Sequence, residues 1–158
     1  MGQVLQTKVE ITPDMQAFFH SVHDKLPILE QDQSMCHGTT GYIPEFATNI
    51  TVRNITEKMA NAITGLIGNT WKYAGLWSNR LVTGGFHVKH THHKGWMSGV
   101  CYVDVPESDS GKLEFDKQTI EPKTGDLVMF PSDAEHSVSV YRGAAPRLTI
   151  AFDVVKHA

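Results

Sequence analysis

Residues 86–105 read FHVKHTHHKGWMSGVCYVDV, and they hold the clearest structural signal in the chain. Two runs rich in β-branched and aromatic residues, 86–91 and 97–105, flank a short polar segment that contains glycine, which predicts two strands. Similar runs, separated by glycine and proline, occupy residues 71–82, 112–115, 126–130, 136–141 and 147–155. Such regular spacing is typical of a β-sandwich or a barrel, so we predict a mainly β core over residues 71–155.

Residues 1–70 are predicted to form a helical and partly irregular support for this core. Residues 3–11 alternate loosely, as a strand does. Thr12 and Pro13 then start a helix that runs to about His23, because a hydroxyl at the N-cap and a proline at the first helical position favour helix initiation. Residues 24–50 show little periodicity, which predicts a long, partly irregular crossing.

A second helix is predicted just before the β core. Asn54 followed three residues later by Glu57 resembles an N-cap pair, and Gly68 is placed to end the helix. Apolar residues recur between them at helical spacing. The 158 residues suffice for one domain, and we expect a single domain over residues 1–158 with flanking helices.

Composition limits the partners of the chain. The net charge of −3 provides no general attraction to nucleic acid, and no apolar run approaches a membrane span. The N-terminus lacks the features of a signal peptide, so a cytoplasmic location is expected. Cys36 and Cys101 are too few for a disulfide framework. The expected partner is a small-molecule or peptide substrate, and a homodimer stays open.

Three histidines form the candidate metal site. In a strand, residues i and i+2 share a face, so His90 and His92 can bind one ion together. His136 begins a second alternating run and becomes the third ligand if that strand lies beside the first. Three ligands on one face leave coordination positions open, which is typical of a catalytic metal rather than a structural one.

Two neighbouring histidines compete for the second ligand position. His87 lies at odd spacing from both His90 and His92, so an unbroken strand places it on the opposite face. His93 directly follows His92 and is also expected to point away. A β-bulge would reverse either assignment, so the choice between His92, His87 and His93 stays open.

Arg147 is a fourth candidate site residue, beside the three histidines. It stands beside Leu148, Ile150 and Phe152 in a strand otherwise suited to burial. A buried guanidinium needs an anionic or polar partner, so an anion site is one interpretation of Arg147. An exposed or salt-bridged arginine at a strand edge is the other interpretation.

The ordering of these residues resembles the 2-oxoglutarate/Fe(II)-dependent dioxygenases of double-stranded β-helix (jelly-roll, cupin-like) fold. Within that superfamily the chain is most similar to a small bacterial and phage branch. Four stretches carry this resemblance: 90–103 (HTHHKGWMSGVCYV), 111–115 (GKLEF), 125–132 (GDLVMFPS) and 147–153 (RLTIAFD).

The resemblance implies a reaction and a set of roles. His90, His92 and His136 would hold Fe(II), and Arg147 would pair with the distal carboxylate of 2-oxoglutarate. O2 would be the oxidant, and substrate hydroxylation would release succinate and CO2. Three further residues are implied at the cosubstrate: Tyr102, Thr149 and Asn79.

One departure from the superfamily concerns His92, where a carboxylate is usual. A neutral imidazole leaves the iron site one unit more positive. Halogenation is disfavoured, because halogenases leave this position empty for chloride. Two alternatives stay open: a three-histidine cupin-type dioxygenase that does not use 2-oxoglutarate, and a non-catalytic metal-binding β-sandwich. A zinc hydrolase is disfavoured because no general base is evident near the histidines.

Overall fold

The computed structural model of the protein describes residues 3–92 and 95–157, except the side chains of residues 44 and 45. These residues form two α-helices, α1 (Pro13–Asp24) and α2 (Ile50–Ile67), and a 3-10 helix (Ile43–Phe46). They also form ten strands: β1 (Leu5–Lys8), β2 (Leu29–Asp32), β3 (Met35–Tyr42), β4 (Trp71–His90), β5 (Met97–Asp104), β6 (Leu113–Phe115), β7 (Thr119–Ile120), β8 (Asp126–Pro131), β9 (His136–Val138) and β10 (Arg147–Lys156). Neither helix has the length and apolar character that a membrane crossing requires.

The strands form one continuous antiparallel sheet in the order β1, β8, β5, β10, β4, β9, β6, β7, with β3 also paired to β4. The long strand β4 divides it into two halves, called here the first sheet (β1, β8, β5, β10, β4) and the second sheet (β4, β9, β6, β7). The first part of β4 pairs with β10, whereas His87 and His90 near its end pair with β9. The chain therefore passes from one sheet to the other within a single strand, and the mainly β fold class predicted from the sequence is confirmed.

The passage between the sheets occurs at Gly84 and Gly85. Gly84 has a φ of 92°, a region that residues with a Cβ rarely adopt. A Cβ on Gly85 would lie 2.6 Å from the carbonyl oxygen of His37 and 3.0 Å from that of Val82. The predicted break between 71–82 and 86–91 was wrong, because these glycines let the strand bend without ending it.

The helices cover the outer face of the first sheet. Val52, Ile55 and Met59 of α2 are buried there, in one hydrophobic cluster with β5, β8 and β10. Side chains alternate along β10, as strand geometry requires. Leu148, Ile150, Phe152 and Val154 pack in this cluster under the helices, whereas Arg147, Thr149, Ala151 and Asp153 face a cavity between the sheets.

Part of the N-terminal prediction needs correction. Residues 24–50 contain the hairpin β2–β3 rather than an irregular crossing, and β3 pairs with β4. β1 extends the first sheet by pairing with β8. The support predicted over residues 1–70 therefore contributes three strands to the core sheets. The hairpin was missed because its sequence lacks the apolar alternation of a half-buried strand.

The helix starts were predicted with mixed success. Thr12 caps α1 with Pro13 at the first helical position, as predicted. The cap of α2 is Asn49, whose side-chain oxygen accepts from the amide nitrogens of Thr51 and Val52. The predicted cap, Asn54, lies inside the helix. Gly68 ends α2 as predicted.

Candidate metal and anion site

A cavity of about 640 Å³ lies between the two sheets. A volume of this size is typical of small-molecule sites. Side chains from β3, β4, β5, β9 and β10 line it, together with the turn between β2 and β3. The predicted metal ligands, the predicted anion-binding arginine and the three implied cosubstrate residues all line this one cavity: His90, His92, His136, Arg147, Tyr102, Thr149 and Asn79.

The three predicted metal ligands meet at one end of the cavity. One imidazole nitrogen from each of His90, His92 and His136 lies within 4.8 Å of the other two, so the group could hold a metal ion. His90 is the last residue of β4, and its Cα pairs with that of His136 on β9. His92 follows two residues later, beyond the end of the strand, rather than on it as the sequence suggested.

Each ligand histidine uses its Nδ1 atom elsewhere. His90 Nδ1 donates to the carbonyl oxygen of Val88 at 2.7 Å, and His136 Nδ1 donates to that of Ala134 at 2.9 Å. His92 Nδ1 donates to Asp153 Oδ1 at 2.8 Å. Because an oxygen acceptor requires the hydrogen on Nδ1, each Nε2 keeps its lone pair for a metal, and among the described residues only that of His90 has a hydroxyl, Ser34 Oγ, within 3.4 Å.

Burial favours the neutral form of the His90 and His136 rings. It lowers the pKa of His136 to about 4, and it also lowers the pKa of His90 despite the opposing hydrogen bond to Val88. A neutral imidazole is the form that binds a metal. The donor set therefore fits a divalent transition metal at neutral pH.

The structure changes the position predicted for one rival ligand. His87 was expected on the opposite face, but an irregularity in the β4–β9 pairing between His87 and His90 turns it into the same cavity. Its ring centre lies 6.2 Å from that of His90, and it is not part of the three-nitrogen group. Burial lowers the pKa of His87 to about 3. His93, the other rival, lies outside the described residues.

Arg147 also lines the cavity, and only 3% of its surface is exposed. Its Nη2 donates to the carbonyl oxygen of Gly111 at 3.2 Å, whereas its Nε has no hydrogen-bond partner among the described residues. No described carboxylate lies within ion-pair distance of it. Burial lowers the pKa of Arg147, but a guanidinium does not lose its proton in proteins. A buried, incompletely paired cation facing a cavity suits an anionic ligand.

The other predicted cosubstrate residues lie side by side on three neighbouring strands, two residues along β10 from Arg147. The Cα of Thr149 on β10 pairs with Tyr102 on β5 at one side and with Asn79 on β4 at the other. The guanidinium carbon of Arg147 lies 5.4 Å from the centre of the Tyr102 ring. Burial raises the pKa of Tyr102 to about 12, so its hydroxyl stays a donor. Asn79 Oδ1 already accepts from Thr40 Oγ1 at 2.6 Å.

Sequence reasoning missed Asp153, which lines the cavity beside His92. Its Oδ1 accepts from His92 Nδ1 and from Ser98 Oγ. Burial alone would raise the pKa of Asp153, but these hydrogen bonds outweigh it and lower the pKa below its ordinary value. Continuing the two-residue period from Arg147 and Thr149 along the same strand would have found it.

Comparison with known protein families gives one match. A family model described as "Putative 2OG-Fe(II) oxygenase", where 2OG is 2-oxoglutarate, matches residues 75–120 and 110–153. The matched residues include every candidate site residue named from the sequence, together with Asp153. A search of curated proteins finds no significant match.

Solved structures of similar fold belong to the same class. A viral collagen prolyl hydroxylase from Paramecium Bursaria Chlorella virus-1, in complex with 2OG, superposes with a TM-score of 0.67 at 12% identity, covering 97% of this chain and 96% of its own. A Pseudomonas putida prolyl-4-hydroxylase gives 0.65 at 15% identity, covering 98% and 92%. HygX from Streptomyces hygroscopicus, with nickel and 2-oxoglutarate bound, gives 0.69 at 9% identity, covering 96% and 82%. These similarities confirm the predicted jelly-roll fold.

Proposed function

We propose, because this chain belongs to the 2OG-Fe(II) oxygenase family, that it hydroxylates a C–H bond of a small-molecule or peptide substrate. In this reaction 2-oxoglutarate and O2 are consumed, one oxygen atom enters the substrate, and succinate and CO2 are released. The observation that carries the proposal is a single cavity with three imidazoles at one end and an incompletely paired, buried arginine lining it as well.

His90, His92 and His136 would hold Fe(II) through Nε2. Bound there, Fe(II) supplies the positions at which a 2-oxo acid chelates and O2 is activated. The Nδ1 hydrogen bonds to Val88, Ala134 and Asp153 fix the orientation of the three rings. Three protein ligands leave positions open for both cosubstrates.

Arg147 would bind the distal carboxylate of 2-oxoglutarate. The planar guanidinium matches a carboxylate in two-point geometry, and its Nε and Nη groups retain donor capacity. Tyr102, whose ring lies near the guanidinium, and its strand partner Thr149 would add hydroxyl donors. The interaction is strengthened because water is excluded around a residue this deeply buried.

The substrate would enter on the side of the β2–β3 hairpin. Its turn residues Gln33 and Ser34 line the cavity, and so does Tyr42 at the end of β3, which is 54% exposed. Ser34 Oγ lies 3.4 Å from His90 Nε2, so the hairpin tip reaches the metal end of the cavity. Residues 133–135 line a separate pocket rather than this cavity.

The decisive experiment is an anaerobic titration of the purified protein with Fe(II) and 2-oxoglutarate. We expect the weak visible charge-transfer band of a chelated 2-oxo acid, followed by succinate formation when O2 is admitted. His92→Ala should abolish both signals. The exposed His157, which lies outside the cavity lining, provides the matched control His157→Ala, which should retain them.

The hydroxylase part of the proposal needs a separate readout. A panel of peptides and small metabolites is incubated with the iron-loaded protein under 18O2, and each product is analysed by mass spectrometry. A substrate that gains one labelled oxygen atom supports hydroxylation. Iron-loaded protein that neither binds 2-oxoglutarate nor forms succinate would refute the function altogether.

A further inference from the structure

We propose that Asp153 is the positioning residue of the metal site: it orients His92 as a ligand and places a carboxylate next to a set of three imidazoles. This inference rests on the metal-binding part of the proposed function. Asp153 and His92 come from distant parts of the chain, and the contact between His92 Nδ1 and Asp153 Oδ1 measures 2.8 Å. Both side chains are largely buried, at 15% and 14% exposure.

The carboxylate of Asp153 is itself held in place. Ser98 Oγ donates to Asp153 Oδ1 at 2.6 Å, and it also lies 2.8 Å from Ser132 Oγ. The carbonyl oxygen of Ser132 accepts from the backbone nitrogen of His92 at 2.9 Å. The backbone and the ring of His92 are therefore tied to the same polar network. A carboxylate fixed by serine donors cannot turn away from His92 without losing a buried hydrogen bond.

His92 differs from the other two ligands in what its Nδ1 contacts. His90 and His136 donate to backbone carbonyls two residues earlier, so the local chain geometry orients them. His92 lies beyond the end of β4 and uses a side chain from β10 instead. Trp77 stacks on its ring, with the ring centres 6.0 Å apart and the planes at 22°. Its orientation thus depends on contacts across the fold.

The pairing of β10 with β4 leaves space for the Asp153 carboxylate beside His92. The pairing of β10 with β4 shifts register directly after Asp153, and the residue opposite Asp153 is Gly75. A Cβ on Gly75 would lie 3.7 Å from Asp153 Oδ2 and 3.1 Å from the Trp77 ring. A larger residue there would crowd both groups that hold the His92 ring.

A carboxylate that accepts from the Nδ1 hydrogen makes the imidazole a better donor at Nε2. The backbone carbonyls that accept from His90 and His136 are neutral, so they do not supply such a charge to those two ligands. Loss of such outer partners typically costs about 10–100-fold in metal affinity. We therefore expect Asp153 to raise metal affinity and to favour the more highly charged oxidation state of the metal.

Two substitutions separate orientation from charge. In Asp153→Asn the amide oxygen can still accept from His92 and Ser98, so only the charge is removed. In Asp153→Ala both the charge and the acceptor are lost. The control is Asp126→Asn, because Asp126 is similarly buried, at 12% exposure, but pairs with Lys8 outside the cavity. Circular dichroism and thermal unfolding establish that each variant is folded.

Three measurements apply to these proteins. Co(II) affinity is measured by absorption titration, the Fe(III)/Fe(II) potential by redox titration, and the His92 tautomer in metal-free protein by long-range 1H–15N NMR. Asp153→Asn should keep the Nδ1-protonated tautomer, weaken Co(II) binding about tenfold and raise the potential, whereas Asp126→Asn should change none of these. Asp153→Ala should lose the tautomer preference and weaken Co(II) binding by up to about 100-fold.

Wild-type Co(II) affinity in folded Asp153→Asn would overturn the charge role. An unchanged tautomer in folded Asp153→Ala would overturn the orienting role. A native protein that binds neither Co(II) nor Fe(II) would instead refute the proposed function, and the tautomer measurement would still test the contact between Asp153 and His92.

Discussion

Replacing Arg147 with methionine should have opposite effects on the stability of the protein and on its affinity for 2-oxoglutarate. Arg147 is buried, its Nε has no partner among the described residues, and its Nη2 makes one bond to a backbone oxygen. Without a ligand this cation is largely uncompensated. Substituting buried ionic groups with apolar residues of similar volume is often neutral or stabilising by about 1–4 kcal/mol. We therefore expect Arg147→Met to raise the melting temperature of the ligand-free protein.

The same substitution should remove most of the affinity for 2-oxoglutarate. Truncating one partner of a buried, hydrogen-bonded charge pair costs about 2–5 kcal/mol. A loss of about 3 kcal/mol corresponds to about 100-fold weaker binding, since ~1.4 kcal/mol is tenfold. Tyr102 and Thr149 remain in place, so a weak residual affinity should persist.

Pyruvate provides a ligand-side control, because it keeps the 2-oxo acid but lacks the distal carboxylate. Both ligands are titrated anaerobically into Fe(II)-loaded wild-type and Arg147→Met protein, with the charge-transfer band as the readout. The wild type should prefer 2-oxoglutarate by about 100-fold, and the variant should bind both ligands about equally. A folded variant that still prefers 2-oxoglutarate by this margin would refute the role of Arg147. Such a result would favour the three-histidine dioxygenase that does not use 2-oxoglutarate.

Two further predictions concern stability. Burial lowers the pKa of His23 to about 4, below its unfolded value near 6.5. Between these two pH values the unfolded chain binds one proton more than the folded protein. The free energy of unfolding therefore falls as the pH drops from about 6.5 to 4. When the free energy of unfolding is measured by denaturant titration at several pH values in this range, its slope against pH should be about 1.4 kcal/mol per pH unit smaller in His23→Gln than in the wild type. Equal slopes in the two proteins would contradict the lowered pKa of His23. At the bend of β4, Gly85→Ala should destabilise the protein by about 1–3 kcal/mol because its Cβ meets the His37 carbonyl. The control is Gly65→Ala in α2, where a Cβ would meet open space, and it should stabilise the protein by about 0.5–1 kcal/mol. If Gly85→Ala and Gly65→Ala changed the free energy of unfolding equally, the bend of β4 would tolerate a Cβ.

The helices show how far local patterns carry a prediction. α1 begins where Thr12 and Pro13 predict, since capping is decided by a few adjacent residues. The cap of α2 lies five residues before the predicted Asn54, because Asn49 is an equally good cap and the earlier start buries Val52 against the sheet. Local sequence signals could not decide which of the two asparagines caps α2, because the choice depends on the burial of Val52 in the tertiary structure.

The strands show the same limit in a stronger form. Gly84 and Gly85 permit either a turn or a bend, and the choice follows from the partners of β4, which are β10 before the glycines and β9 after them. The hairpin β2–β3 has no apolar alternation of its own and takes its strand conformation from pairing with β4. Hydrogen bonds between distant segments are invisible to a local pattern.

Residue chemistry and two-residue periodicity were enough to select His90, His92, His136 and Arg147 as candidates for one site, because strand geometry decides which side chains share a face. The fold was needed to turn His87 into the cavity and to bring Asp153 to His92. The position of His87 depends on the β4–β9 register shift. Asp153 follows the two-residue period of Arg147 and Thr149, but its contact with His92 depends on the packing of β10 against the segment that follows β4. A register shift arises from the fit between two packed strands, so it has no signature in either strand alone.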